Sequence, residues 1–134
     1  MRKVAMIRDL VEKYAIRVWD KRDLAAIDET IDQKAIIHYP WDEVHRPQGV
    51  KKSVGELQNA FPDYKVKNLA IFEAGDKVAI QWEAKATHKH PFLGHPPKGK
   101  SIVNRGVTIY RVQGNKIIEY WSYFDTQSLV DQIK

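Results

Sequence analysis

The sequence predicts an α+β fold in which helices pack on one face of a curved sheet. Three observations point to it. Near the N-terminus the apolar residues recur at three-and-four spacing, the period of an amphipathic helix. After Pro62 they recur at a period of two, through several short runs separated by turn residues. Helical spacing returns only as a closing turn or two at the C-terminus. Helices at the front and strands at the back argue α+β, and a concave sheet face covered by helices leaves an interior pocket.

Each element follows in order. Val4, Ile7, Leu10, Val11, Tyr14, Ala15, Val18 and Trp19 form one apolar stripe, so residues 4–19 are a helix. A short second helix spans about Asp23 to Thr30, capped by Asp20 or Asp23. "KAIIHYP" is a strand stopped by Pro40, and "WDEVHRPQG" is a loop. Val50, Val54, Leu57 and Phe61 then share a helical face that Pro62 ends. "YKVKNLAIFEAGDKVAIQWEAKATH" holds two strands joined at "AGDK", and "KSIVNRGVTIYRVQGNKIIEYWSYFD" holds two or three more around "QGNK". "TQSLVDQI" closes the chain as a last helical turn or two.

Composition bounds the function. A chain of 134 residues with 43% hydrophobic content fits one domain, residues 1–134, with one packed core. The absence of cysteine excludes a disulfide framework and thiolate chemistry, and a cytoplasmic location is expected. Arg8, Asp9, Glu12 and Lys13 interrupt the N-terminal segment where a signal peptide needs an apolar core, and no window reaches the length of a membrane span. The net charge of +5 comes from scattered lysines without a nucleic-acid motif, so neither nucleic acid nor membrane is an expected partner.

Strand parity selects site candidates. Val78, Ile80, Trp82, Ala84, Ala86 and His88 share the apolar, inward face of their strand. Ile117, Glu119, Trp121, Tyr123 and Asp125 share one parity of the last strand, and Ile118, Tyr120, Ser122 and Phe124 the other. Both faces of that strand are partly apolar, so one lines a core or pocket and the other a subunit contact. Ile118, Tyr120 and Phe124 are assigned to the contact, which implies a homodimer. Glu119, beside the "QGNK" turn, is expected to face solvent. In "AIIHYP", His38 alternates with Ile36, while Ile37 and Tyr39 take the opposite face.

The stretch "THKHPFLGHPPKGK" places His88, His90 and His95 within eight residues. A metal site there lacks support, because no Asp or Glu stands between residues 84 and 118 and Pro91 and Gly94 take the chain off the strand. His90 and His95 read as exposed loop residues. His88 is either a core imidazole satisfied by a backbone carbonyl or an acid/base partner. Asp125 follows the aromatic run "YWSYF", where partial desolvation would raise its pKa. It stands equally as the N-cap of the last helix.

"AFPDYKV", "GDKVAIQWEAKATH", "FLGHPPKGKSIVNRGVTIYRVQGNKIIEYWSYFD" and "SLVDQI" resemble the SnoaL-like polyketide cyclases, also called SnoaL-like ester cyclases, of the nuclear transport factor 2-like superfamily. The resemblance runs over nearly the whole chain. It implies a cone-shaped curved antiparallel or mixed sheet with three N-terminal helices on its concave face. It implies cofactor-independent acid/base chemistry, in the characterised cyclases an intramolecular aldol ring closure through an enolate, with no metal. The family's catalytic Asp falls on Asp125, its "TH" on Thr87-His88, and its "H.P" on His38 and Pro40. The expected catalytic set is therefore Asp125, His88 and His38. Trp82, Trp121, Tyr123, Phe61 and Ile80 are expected to wall a pocket for an apolar or polycyclic small molecule. Lys98 in "PPKGK", His90-Pro91 and the "WDEVHRPQG" loop depart from the family pattern at the pocket rim. A non-catalytic small-molecule binding protein of the same fold is the alternative, and a purely structural dimer contact is a third possibility.

Overall fold

The computed structural model describes residues 2–134, with side chains described from Ile7 onward. Val4, the first position of the expected stripe, lies outside the described side chains. Helix α1 (Arg2–Ala15) runs into a π-helical turn at Ile16–Asp20. Its stripe is buried at Val11, Tyr14, Ala15 and Val18, as the spacing requires. Helix α2 (Ala25–Thr30) follows, and an Asp23 carboxylate oxygen accepts the Ala25 N–H at its start.

Strand β1 (Ile31–His38) leaves α2 without a loop. A tight turn at Tyr39–Asp42 then folds the chain back into β2 (Glu43–His45), antiparallel to β1. That strand lies in the stretch expected to be loop. Three residues at a sheet edge are too few to show a period. Helix α3 (Arg46–Ala60) starts earlier than Val50, because Pro47 sits in its first turn, where the missing N–H has no partner to lose.

Strands β3 (Lys65–Ala74), β4 (Lys77–Thr87), β5 (Ser101–Gln113) and β6 (Lys116–Phe124) follow, and helix α4 (Thr126–Ile133) supplies the two closing turns expected of "TQSLVDQI". The β3–β4 and β5–β6 turns each place a glycine at positive φ, Gly75 at 62° and Gly114 at 65°. The strands form one mixed sheet in the order β2-β1-β6-β5-β4-β3, with β1 and β6 parallel and every other pair antiparallel. Its edges, β2 and β3, do not pair with each other, so the sheet is open.

The inner face of β4 alternates as expected, with Val78, Ile80, Trp82, Ala84, Ala86 and His88 all buried. Strand β6 does not keep one parity. Val112 pairs with Ile117 while Arg111 pairs with Glu119, so Ile118 is an extra residue on β6. A bulge of this kind flips every later side chain to the other face. Ile117 is inward, and beyond the bulge Tyr120 and Ser122 are inward too. The expected contact face of Tyr120 and Phe124 is thus an inner face. Trp121 and Tyr123, expected to wall the pocket, stand on the outer face, with Tyr123 58% exposed.

Candidate functional site

A half-enclosed cavity lies between the π-helical turn and the concave side of β3 to β6. Its walls are Ala15, Trp19, Tyr39, Tyr64, Val66, Asn68, Ile80, Trp82, Thr108, Tyr110, Tyr120, Ser122 and Phe124. Its volume, counted over positions open to the centre of a water molecule, is about 60 Å³. At roughly 10–15 Å³ per water, that is room for about four to six waters. None of the lining side chains is a carboxylate, an imidazole or a cation.

The polar groups form two short networks. Tyr39 and Tyr120 share a 2.6 Å hydrogen bond between their hydroxyls. The Tyr14 hydroxyl is a further partner of Tyr120, so the pair keeps at most one phenolic proton for a ligand. Burial pushes the Tyr39 phenol up to about 12 and the Tyr120 phenol well above its ordinary value, with nearby Tyr14 and Tyr110 adding to the shift at Tyr120. Both are neutral donors at any ordinary pH. In the second network the Trp82 indole N–H donates to Thr108 Oγ1 at 2.9 Å, and Thr108 Oγ1 and Ser122 Oγ lie 2.9 Å apart. Indole has no acceptor, so its direction is settled. Three donors and two bonds leave at most one hydroxyl proton, with the Tyr110 phenol a further partner of Thr108. Gly106, paired across from Trp82, makes room for that ring, since a Cβ there would lie 2.7 Å from the indole and 2.4 Å from the Tyr123 carbonyl oxygen.

Of the residues expected to wall the pocket, Ile80 and Trp82 line this cavity. Phe61 is buried but packs instead against His88 and Phe92, at ring distances of 5.4 and 5.1 Å. The structure does not bring the three expected catalytic residues together. Asp125 is exposed at the end of β6, where its carboxylate accepts the Ser128 N–H at 2.9 Å and caps α4. That exposure removes the desolvation expected from the aromatic run. His88 is fully buried, and neither ring nitrogen has a hydrogen-bond partner. Its imidazole is held below its ordinary pKa, chiefly by burial.

His38 sits on the outer face, stacked on Trp121 with ring centres 5.4 Å apart. Its Nε2 meets Glu119 at 2.7 Å, its Nδ1 lies 3.5 Å from Glu43, and Arg111 holds the other Glu119 oxygen at 3.1 Å. The hydrogen bond from His38, with help from Arg111, holds the Glu119 carboxyl below its usual range. Glu119 is therefore half-buried in an ion-pair cluster rather than free in solvent. Among the described residues, no three His, Asp or Glu side chains gather as a metal-ligand group.

The wall residues missed in the two polar networks were Tyr39, Thr108, Tyr120 and Ser122. Tyr39 was legible from its alternation with buried Ile37. Tyr120 and Ser122 were hidden by the bulge at Ile118, which strand parity does not announce.

Residues 9–133 match the family described as SnoaL-like polyketide cyclase. Among solved structures, a candidate polyketide cyclase from Acidithiobacillus ferrooxidans is 30% identical, with a TM-score of 0.83 over 96% of this chain and 94% of that one. IdmH from Streptomyces antibioticus, also described as a candidate polyketide cyclase, is 27% identical, with a TM-score of 0.80 over 94% and 96%. AclR from Streptomyces galilaeus, described as a candidate hydroxylase, shares the fold at 23% identity, with a TM-score of 0.84 over 96% and 95%. No curated protein matches the chain.

Proposed function

The chain belongs to the SnoaL-like polyketide cyclase family, and from that premise we propose that it holds an apolar, oxygen-bearing small molecule in the cavity under the π-helical turn. The observation that carries this is the Tyr39–Tyr120 pair, a neutral two-phenol donor in a wall otherwise made of rings and aliphatic groups. Such a donor fits a carbonyl or phenol oxygen and stabilises enol-like charge developing there. An ionised ligand head finds no partner of opposite charge among the lining side chains. A ring-sized ligand would extend from this volume through the open side of the cavity.

The test is binding of 1-naphthol, followed by its fluorescence. Losing one neutral hydrogen bond of about 1 kcal/mol weakens binding about fivefold, so Tyr120→Phe should do this and Tyr123→Phe on the outer face should not. Equal affinities for wild type and Tyr120→Phe would remove the phenol pair from the site.

Family membership favours a second reading, in which the chain is a cyclase or isomerase and Asp125 is its base. Asp125 directly follows Phe124, a wall residue, although at present it caps α4. Asn caps a helix as well as Asp does, so Asp125→Asn removes the base and spares the cap. Loss of turnover by that variant on a screened ketone panel, with naphthol affinity kept, supports the enzyme. Turnover that survives the change leaves Asp125 a cap.

We place the expected homodimer on the outer sheet face, where Phe72 and Tyr123 are exposed and Ile109 and Trp121 lie between them. Sedimentation should then show a dimer for the wild type and a monomer for Tyr123→Glu. An unchanged sedimentation coefficient would move the contact elsewhere. Among the described residues no helix is long and apolar enough to cross a membrane, and a cytoplasmic setting remains part of this proposal through the lack of cysteine.

A further inference from the structure

The loop from β4 to β5 is built as a flap. At its root the His88 N–H donates to the Lys100 carbonyl at 2.9 Å, and the Gly99 N–H donates to the His88 carbonyl at 3.1 Å. The Lys89 and His90 N–H groups both donate to the Ala60 carbonyl at the end of α3, at 2.9 and 3.2 Å. At its tip Phe92 and His95 exchange two backbone bonds around Leu93 and Gly94, both at positive φ. Phe92 is buried against Phe61, and Phe61 packs on the His88 ring. The imidazole thus sits under the flap with neither nitrogen satisfied. A neutral ring tolerates this at the cost of its lost hydrogen bonds, but a charged one does not.

We propose that residues 88–100 are an acid-released latch, closed while the buried His88 ring is neutral and opened when that ring takes a proton. The titratable side chains on the surrounding elements are His90 and His95 on the flap, Lys89 and Lys100 at its roots, and Asp63 beyond α3. Of these, His95 acts on His88, and it disfavours the charge. Asp63, the carboxylate of the set, is occupied by the Thr87 N–H and hydroxyl at 2.7 and 2.8 Å. The His90 backbone on the flap offsets part of the cost of a proton on His88, but burial outweighs it, whereas water meets that cost in the open flap.

The sign follows from linkage. The closed state binds the proton less well than the open state, where His88 has an ordinary pKa near 6.5. Closure is therefore unaffected above about pH 6.5 and weakens below it, by at most about tenfold per pH unit for one proton. The loss levels off once pH falls under the depressed pKa of the closed form. The flap tip also touches Trp41, which packs on the cavity wall at Phe124, with ring distances of 6.1 and 5.3 Å. Any effect on ligand entry rests on the cavity reading proposed above, and the latch itself does not.

The experiment is amide hydrogen exchange of the full chain by NMR between pH 7.5 and 5, corrected for the intrinsic pH dependence of exchange. The amides of His88, Lys89, His90 and Gly99 should lose protection below pH 6.5, by up to about tenfold per unit, while the β4–β5 ladder amides keep theirs. His88→Phe should flatten this response, and His90→Ala should leave it in place. If the flap of His88→Phe opens with acid as the wild type does, the latch is wrong. Should that variant fail to fold, the wild-type His88 ring signals decide. Titration in step with the flap amides supports the latch. Titration at an ordinary pKa with the flap still protected overturns it, as does loss of protection everywhere at once. Failure of naphthol to bind would count against the cavity reading alone, because the exchange measurement contains no ligand.

Discussion

The two faces of the sheet handle polar groups in opposite ways. On the inner face, Tyr39, Tyr120, Thr108, Ser122 and the Trp82 N–H are neutral, buried or nearly so, and bonded to one another. On the outer face, His38, Glu119, Arg111 and Glu43 make an ion-pair cluster only part-buried from water. Strand β6 serves both, with Tyr120 and Ser122 turned in and Glu119 and Trp121 turned out. The separation follows solvation. A hydroxyl is satisfied by one or two neutral neighbours, but a carboxylate needs water or a cation beside it. The cavity side of the sheet therefore presents neutral donors, and the ion-pair cluster lies on the other side.

The largest expected effect comes from closing the gap that shapes the inner face. In Gly106→Ala the new methyl would press on the Trp82 ring and on the fixed Tyr123 carbonyl. The ring can shift but the ladder carbonyl cannot without loosening β5 from β6. Overpacking of this kind costs about 1–3 kcal/mol, and the backbone contact puts this site at the upper end. Urea unfolding measures the cost. Naphthol binding should weaken as well, because a displaced indole no longer holds Thr108. A variant as stable as the wild type, with unchanged binding, would mean that Trp82 does not depend on the missing side chain.

How much of this was legible beforehand depended on regularity. The fold class, the helix pair before β1, α3 and the two glycine turns are local patterns of period or turn chemistry, and each appears near its expected place. The inner row of β4 was also readable, because eleven residues alternate without interruption. Strand β6 has one residue too many opposite Arg111 and Val112, and side-chain type does not reveal a bulge when Ile117 and Ile118 are both apolar. The two faces were exchanged from there on, and the cavity tyrosine went with them. Asp125 carried two readings because an aspartate after a strand and before a helix suits both a cap and a base. Its exposure was settled only by where α4 begins. Burial of His88 followed from its phase, but its lack of a partner is a property of the folded loop above it.

A smaller effect sharpens the outer half of the comparison. Glu119 has a folded pKa below its ordinary value because His38 and Arg111 favour the charged carboxylate. A group of this sign contributes stability that is fully present above its unfolded pKa, near 4.3, and is lost as pH falls through the lower folded value. Glu119→Gln should therefore cost about 1 kcal/mol at pH 6, the size expected of a part-exposed pair. Denaturant midpoints of variant and wild type should converge as pH drops below about 4.3. At pH 6 the difference should also shrink in high salt, since the cluster reaches solvent. Naphthol affinity should not change, because the sheet lies between Glu119 and the cavity. A fall in affinity matching that of Tyr120→Phe would show that the two faces are coupled through β6. A difference that persisted unchanged to pH 3 would show that Glu119 acts through packing rather than charge.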